Sequence, residues 1–265
     1  MSLQTIDRIR RAMNIFATSE AEIRPHFIVT GPSGSGKSHT IQALAEELEL
    51  NYFEINAASL TKEGTSGNSV SKALTPVLQS AGQPMICFVD EFDKLFISGN
   101  SNSSLAHETT NGVQNEFLKV LEGTASVYGD FGKYVNVKTD NVLFVFAGAF
   151  NGEENIDLDR LREFGIKTEF LGRVGLAYGL SKVTLEEMKN ILENSKLLEK
   201  YLSLFPDVVK TEVVDLIMGI LAENYEKNTI GVRMINTLIH QYFIEGGITK
   251  KEAKKTSFQK TLSLK

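Results

Sequence analysis

The chain has 265 residues, 42% of them hydrophobic and 23% charged, with a formal net charge of −5. That length suits one large domain plus one small one better than a single core, and the net acidity argues against a surface that coats nucleic acid broadly. One cysteine, Cys87, excludes an internal disulfide framework and points to a reducing, cytoplasmic compartment; no apolar stretch reaches membrane-span length, and residues 1–11 lack the apolar centre of a signal peptide.

In chain order, the first predicted element is a buried strand at 26–30, His-Phe-Ile-Val-Thr. Residues 31–38 follow as Gly-Pro-Ser-Gly-Ser-Gly-Lys-Ser, a complete G-x-x-x-x-G-K-[ST] phosphate-binding loop, and a helix is predicted from Ser38 through 48. A chance glycine turn is the alternative, but the strand before and the helix after are the context the motif requires. Glycines let backbone N–H groups curl around phosphate oxygens, and the helix N-terminus adds the positive end of a dipole. Gly31, Pro32, Ser33, Gly34, Ser35, Gly36, Lys37, Ser38 and the adjoining His39 are therefore the candidate nucleotide contacts. Lys37 is expected to reach the β- and γ-phosphates of ATP, and Ser38 to hold Mg²⁺.

A short strand is predicted at 51–56 and a helix at 69–81. Residues 85–91, Met-Ile-Cys-Phe-Val-Asp-Glu, form an apolar run ending in two acids, as a central parallel strand does when buried on both faces. Cys87 within it reads as a packed core thiol, with a nucleophilic role as the lesser alternative. Ligands of open α/β sheets lie at the carboxyl ends of the strands, which puts Asp90 and Glu91 beside the phosphate loop. Asp90 is the expected second Mg²⁺ partner, through water, and Glu91 the general base for the attacking water. A solvated loop start would explain two acids equally well if the phosphate loop were absent. A helix at 112–121 and strands at 142–147 and 176–180 continue the alternation and imply a mainly parallel sheet. From 185 onward the strand signal ends. Thr184-Leu-Glu-Glu187 is a capping-box pattern, and amphipathic segments run through 202, over 210–224 and over 231–243. The expected organisation is an α/β P-loop NTPase domain at 1–180 and a small all-helical lid domain at 181–265. Its lysine-bearing tail from Thr249 reads as a solvated end, or as an arm for nucleic acid or a partner.

Beyond the phosphate loop, five further stretches in order resemble the ClpX/HslU branch of AAA+ protein unfoldases, over roughly residues 28–243. Residues 88–94, Phe-Val-Asp-Glu-Phe-Asp-Lys, are similar to the family's Walker B stretch; 112–123 to the helix after the second pore loop; 142–150 to the sensor-1 strand with its Gly-Ala-Phe ending. Residues 164–173, Phe-Gly-Ile-Lys-Thr-Glu-Phe-Leu-Gly-Arg, resemble the stretch carrying the arginine finger, and 230–233, Ile-Gly-Val-Arg, stand where sensor 2 stands. The resemblance implies that Arg173 reaches a neighbouring subunit's γ-phosphate, against the plainer reading of a surface arginine. It implies that Arg233, opening the third helix of the small domain, touches its own subunit's nucleotide, with a structural ion pair as the alternative. An arginine supplied in trans implies a homo-oligomer, and the family a hexameric ring.

The chain also departs from that pattern. Thr65 stands where the first pore loop presents an aromatic residue that grips polypeptide, which weakens the case for processive unfolding. Between Asn151 and Phe164 the chain is short and the peptidase-docking loop is missing, so no docked peptidase is expected, and no four-cysteine zinc domain is expected before the ATPase. Ala147 takes the place of a sensor-1 serine, which passes that role to Asn151 or loses it. The adenine-side segment before His26 is short, with Ile6 as its candidate. The expected function is an ATP-hydrolysing ring that remodels a protein or protein complex. The alternative is a nucleic-acid-associated AAA+ factor, such as a helicase loader or phage replication accessory protein, and the polar loop at 98–104 leaves that open.

Overall fold

The computed structural model describes residues 3–61, 68–96, 104–129, 132–154 and 156–245. The expectations for Thr65, for most of the loop at 98–104 and for the lysine-bearing tail fall outside them. The chain divides into two compact units, the first of residues 1–32 and 36–181 and the second of residues 33–35 and 182–265.

In the first unit, α1 (Leu3–Thr18) leads to β1 (Phe27–Thr30), α2 (Lys37–Glu47) and β2 (Asn51–Asn56). Two short helices, α3 (Val70–Ala73) and α4 (Thr75–Gln79), precede β3 (Met85–Asp90), and α5 (Ser104–Leu121) precedes a hairpin of β4 (Thr124–Tyr128) and β5 (Tyr134–Lys138). Then come β6 (Val142–Gly148), α6 (Leu158–Glu163), α7 (Thr168–Arg173) and β7 (Leu176–Gly179). Five strands form one parallel sheet in the order β2-β3-β6-β1-β7. A parallel sheet needs crossovers that cover both faces, which is why β3 and β6 read as unbroken apolar runs.

Alternate residues of each strand feed two cores. Phe27, Val29, Ile86, Phe88, Leu143 and Val145 meet α1 and α2, where Ile9, Met13, Phe16, Ile41 and Leu44 are buried. Ile28, Cys87, Val89, Phe144 and Phe146 meet α5 and α7 through Val113, Phe117, Phe170 and Leu171. Phe92 centres this second core, its ring 4.7 Å from Phe146 and 5.2 Å from Phe170. Full burial pushes the Cys87 thiol pKa up, which leaves it a core thiol and removes the nucleophilic alternative.

Three expectations need correction. The helix predicted at 69–81 is two short helices, because Pro76 in the first turn of α4 has no N–H to continue α3. The helix predicted from Gly112 begins eight residues earlier at Ser104, and β4 and β5 were not foreseen. In the second unit, α8 (Leu185–Glu193) and α9 (Lys196–Leu204) are separate helices, since Ser195 starts a new one by accepting from Leu198 N. With α10 (Lys210–Asn224) and α11 (Arg233–Ile244), Arg233 opens the fourth described helix of this unit rather than the third. Met188, Leu192, Leu198, Val213, Ile217, Ile235 and Ile239 form its separate core.

Candidate active site

The neighbour order β3-β6-β1 sets three strand ends side by side, with Val89 opposite Phe146 and Thr30 opposite Gly148. The phosphate loop leaves β1, Asp90 and Glu91 close β3, and the turn with Asn151 leaves β6. The sheet therefore brings together, within one unit, Lys37, Ser38, Asp90, Glu91 and the Asn151 turn.

Gly36 caps α2 in the left-handed region, at φ 83 and ψ 18, where a side chain would be strained. Lys37 opens the helix, and its ammonium folds back to donate to the carbonyls of Gly31 at 2.7 Å and Pro32 at 3.0 Å. Those bonds set the lysine across the mouth of the loop. Ser38 is half-buried and His39 exposed. The Ser35 hydroxyl is buried and has no hydrogen-bond partner among the described residues. A buried hydroxyl without a partner is costly, and in a glycine-rich loop at a helix N-terminus it fits an anionic oxygen ligand such as a phosphate.

Across the sheet, Glu91 is left-handed at φ 54, and its backbone N–H donates to Asp90 Oδ1 at 2.8 Å. One bond thus orients the Asp90 carboxylate and holds the turn that exposes Glu91. Phe150 and Asn151 are also left-handed, at φ 44 and 59, and Asn151 is exposed. Strained non-glycine backbone gathered at adjoining strand ends is characteristic of functional sites.

The arginines separate by partner. Arg173 ends α7; its guanidinium pairs with Glu122 and donates to Glu169 O at 3.1 Å. Arg160 is engaged on every side, with Glu153 at 2.6 and 2.7 Å, Glu163 at 2.5 Å and the Phe164 ring 4.6 Å from its centre. The hydrogen bonds from Arg160 hold the Glu153 carboxyl below the usual carboxylate range. Arg162 pairs with Asp159 at 3.2 Å. In the second unit, Asn228 shapes the turn before Arg233: its Oδ1 accepts from the N–H groups of Ile230 and Gly231, and its Nδ2 donates to Gly231 O. Arg233 itself is exposed. Glu122, Asp93 and Asn228 hold segments that carry candidate residues, and sequence reasoning missed them. Asp93 stood in the quoted Walker B stretch without a role, and nothing in the local pattern signals Glu122 or Asn228.

A parallel sheet in this order, with a glycine-rich loop between its β1 and α2 and acids ending the strand two places away, defines a P-loop NTPase. The model of the ATPase family associated with various cellular activities (AAA) matches residues 27–170, over half the chain, and the protein belongs to that family. It is an ATPase. It is similar to the ATP-dependent Clp protease ATP-binding subunit ClpX of Treponema denticola, with 25% identity over 92% of this chain and 71% of that protein. The protein of the same name from Porphyromonas gingivalis is 24% identical over 96% of this chain and 74% of its own length. ClpX 2 of Wolinella succinogenes is 29% identical over 82% and 64%. The expected ClpX-like AAA+ kinship and α/β P-loop fold both hold. No helix among the described residues is long and apolar enough to cross a membrane.

Proposed function

We propose that this AAA ATPase works as a homo-oligomeric ring of six subunits that remodels a protein or protein complex without a docked peptidase. The observation that carries the reading is the convergence of phosphate loop, paired acids and Asn151 turn at three adjacent strand ends. It occurs in a chain similar to ClpX over most of its length. Lys37 and the loop N–H groups hold the β- and γ-phosphates of ATP, and Glu91 takes the proton of the attacking water. When bound, Mg²⁺ neutralises charge on those phosphates, and Ser38 and Asp90 are the residues that hold it. Arg173 acts on the neighbouring subunit's nucleotide, and Arg233 and Asn151 report on the subunit's own. Thr65 offers a threaded chain little apolar area, which favours remodelling over long-range threading.

The test is stimulation of ATP hydrolysis by an unfolded polypeptide, beside single-stranded DNA and RNA. Stimulation by polypeptide alone is expected. Stimulation by nucleic acid alone would replace the reading with a nucleic-acid-associated factor, and stimulation by neither would leave a slow nucleotide switch.

A further inference from the structure

We infer that Asp93 is a positioning residue for ATP hydrolysis: its buried carboxylate fastens the turn carrying Asn151 to the segment carrying Glu91. The inference rests on the proposed sensing role of Asn151. Asp93 lies two residues after Glu91 on the short 3₁₀ turn Phe92–Leu95 and is only 2% exposed. A carboxylate buried that deeply is costly unless it is hydrogen-bonded. Its Oδ2 accepts from the backbone N–H of Phe150 at 3.2 Å and lies 3.9 Å from Lys94 Nζ, on a side chain about half exposed. The carboxylate thus crosses from the end of β3 to the backbone that follows β6.

Two observations show that the turn is built around this contact. Phe150 and Asn151 both hold left-handed backbone, which asparagine visits readily but a bulky residue such as Phe150 rarely adopts. Asp93 accepts from the N–H of Phe150, and the fully buried Phe150 ring packs against Phe164 with ring centres 5.4 Å apart. Gly148 supplies the room: a Cβ there would stand 2.7 Å from the Phe150 ring, 2.8 Å from Asp93 Oδ1 and 2.9 Å from Asp93 Cβ. Asn151 is exposed above this clamp. One buried acid therefore sets the spacing between the proposed base and the proposed sensor.

The experiment measures kcat and the affinity for a fluorescent ATP analogue in Asp93→Ala, Asp93→Asn, Asn151→Ala and the Asp93→Ala/Asn151→Ala double variant, with circular dichroism to confirm folding. Asp93→Ala and Asn151→Ala are each expected to lower kcat about tenfold, the scale of a misplaced group, with affinity within about threefold of the parent. The double variant should be no slower than the slower single, because both changes remove one action. Asp93→Asn keeps an oxygen for the Phe150 N–H and should stay near parental turnover. If Asp93→Ala does not fold, Gly148→Ala tests the same clamp from β6 and should lower kcat alike. Parental turnover in Asp93→Ala beside a slow Asn151→Ala would overturn the positioning role alone, as would multiplying effects in the double variant or an Asp93→Asn as slow as Asp93→Ala. Parental turnover in Asn151→Ala would overturn the sensing role.

Discussion

Lys37 makes the sharpest claim at the scale of a residue. Its ammonium lies against the loop, donating to the carbonyls of Gly31 and Pro32. A charge-assisted hydrogen bond contributes about 1.5–3 kcal/mol, and Lys37→Ala should weaken ATP binding about 10- to 100-fold. Titration with a fluorescent ATP analogue measures it, and near-parental affinity would sink the assignment. His26 carries a different prediction. It is buried before β1, its Nδ1 accepts from Phe144 N at 3.1 Å, and burial, then Arg24, lower its pKa from 6.5 to about 3. Between those values the unfolded chain binds a proton that the folded chain refuses. Stability therefore falls as pH drops from 6.5 toward 3, by at most about 1.4 kcal/mol per pH unit from this group. Urea unfolding across that window should show a shallower slope for His26→Gln than for the parent. Equal slopes would mean that other groups set the acid response.

Among elements, the turn before α11 depends on one side chain. Asn228 is 8% exposed, and its oxygen is the acceptor for two backbone N–H groups. Asn228→Ala leaves them without it and should cost about 1–3 kcal/mol, read from the urea midpoint of unfolding; no shift would mean that water replaces the oxygen freely. Elements were legible where burial on both faces makes the pattern continuous. β1, β3 and β6 were read at nearly their observed bounds, and with them the loop and the two acids. The hairpin was not, because β4 and β5 are short and only Ala125 and Val127 of their residues are buried. The start of α5 was hidden by Asn111-Gly112, a pair that usually marks a turn. Nor could spacing place the partners that arise across the fold. Glu122 and Arg173 lie 51 residues apart, and Asp93 and Phe150 57 apart.

For the whole molecule, the claim is that hydrolysis belongs to an interface between subunits. Arg173 is held by Glu122 in its own chain, but both side chains are substantially exposed, 38% and 53%. A pair that exposed contributes under about 1 kcal/mol, so a triphosphate can take the guanidinium from it. Glu91→Gln should bind ATP and hydrolyse it very slowly, because an amide cannot accept the proton from water. Arg173→Ala should likewise bind ATP and lose hydrolysis by on the order of 10³-fold or more. Mixing the two inactive variants is the most direct measurement. A ring of both contains sites where an intact Glu91 faces an intact Arg173, because the Glu91→Gln subunit lends its arginine to the Arg173→Ala subunit's nucleotide. The account predicts ATPase activity on mixing well above the sum of the variants alone. No recovery while subunits demonstrably exchange, or an Arg173→Ala protein that hydrolyses ATP unaided, would contradict it.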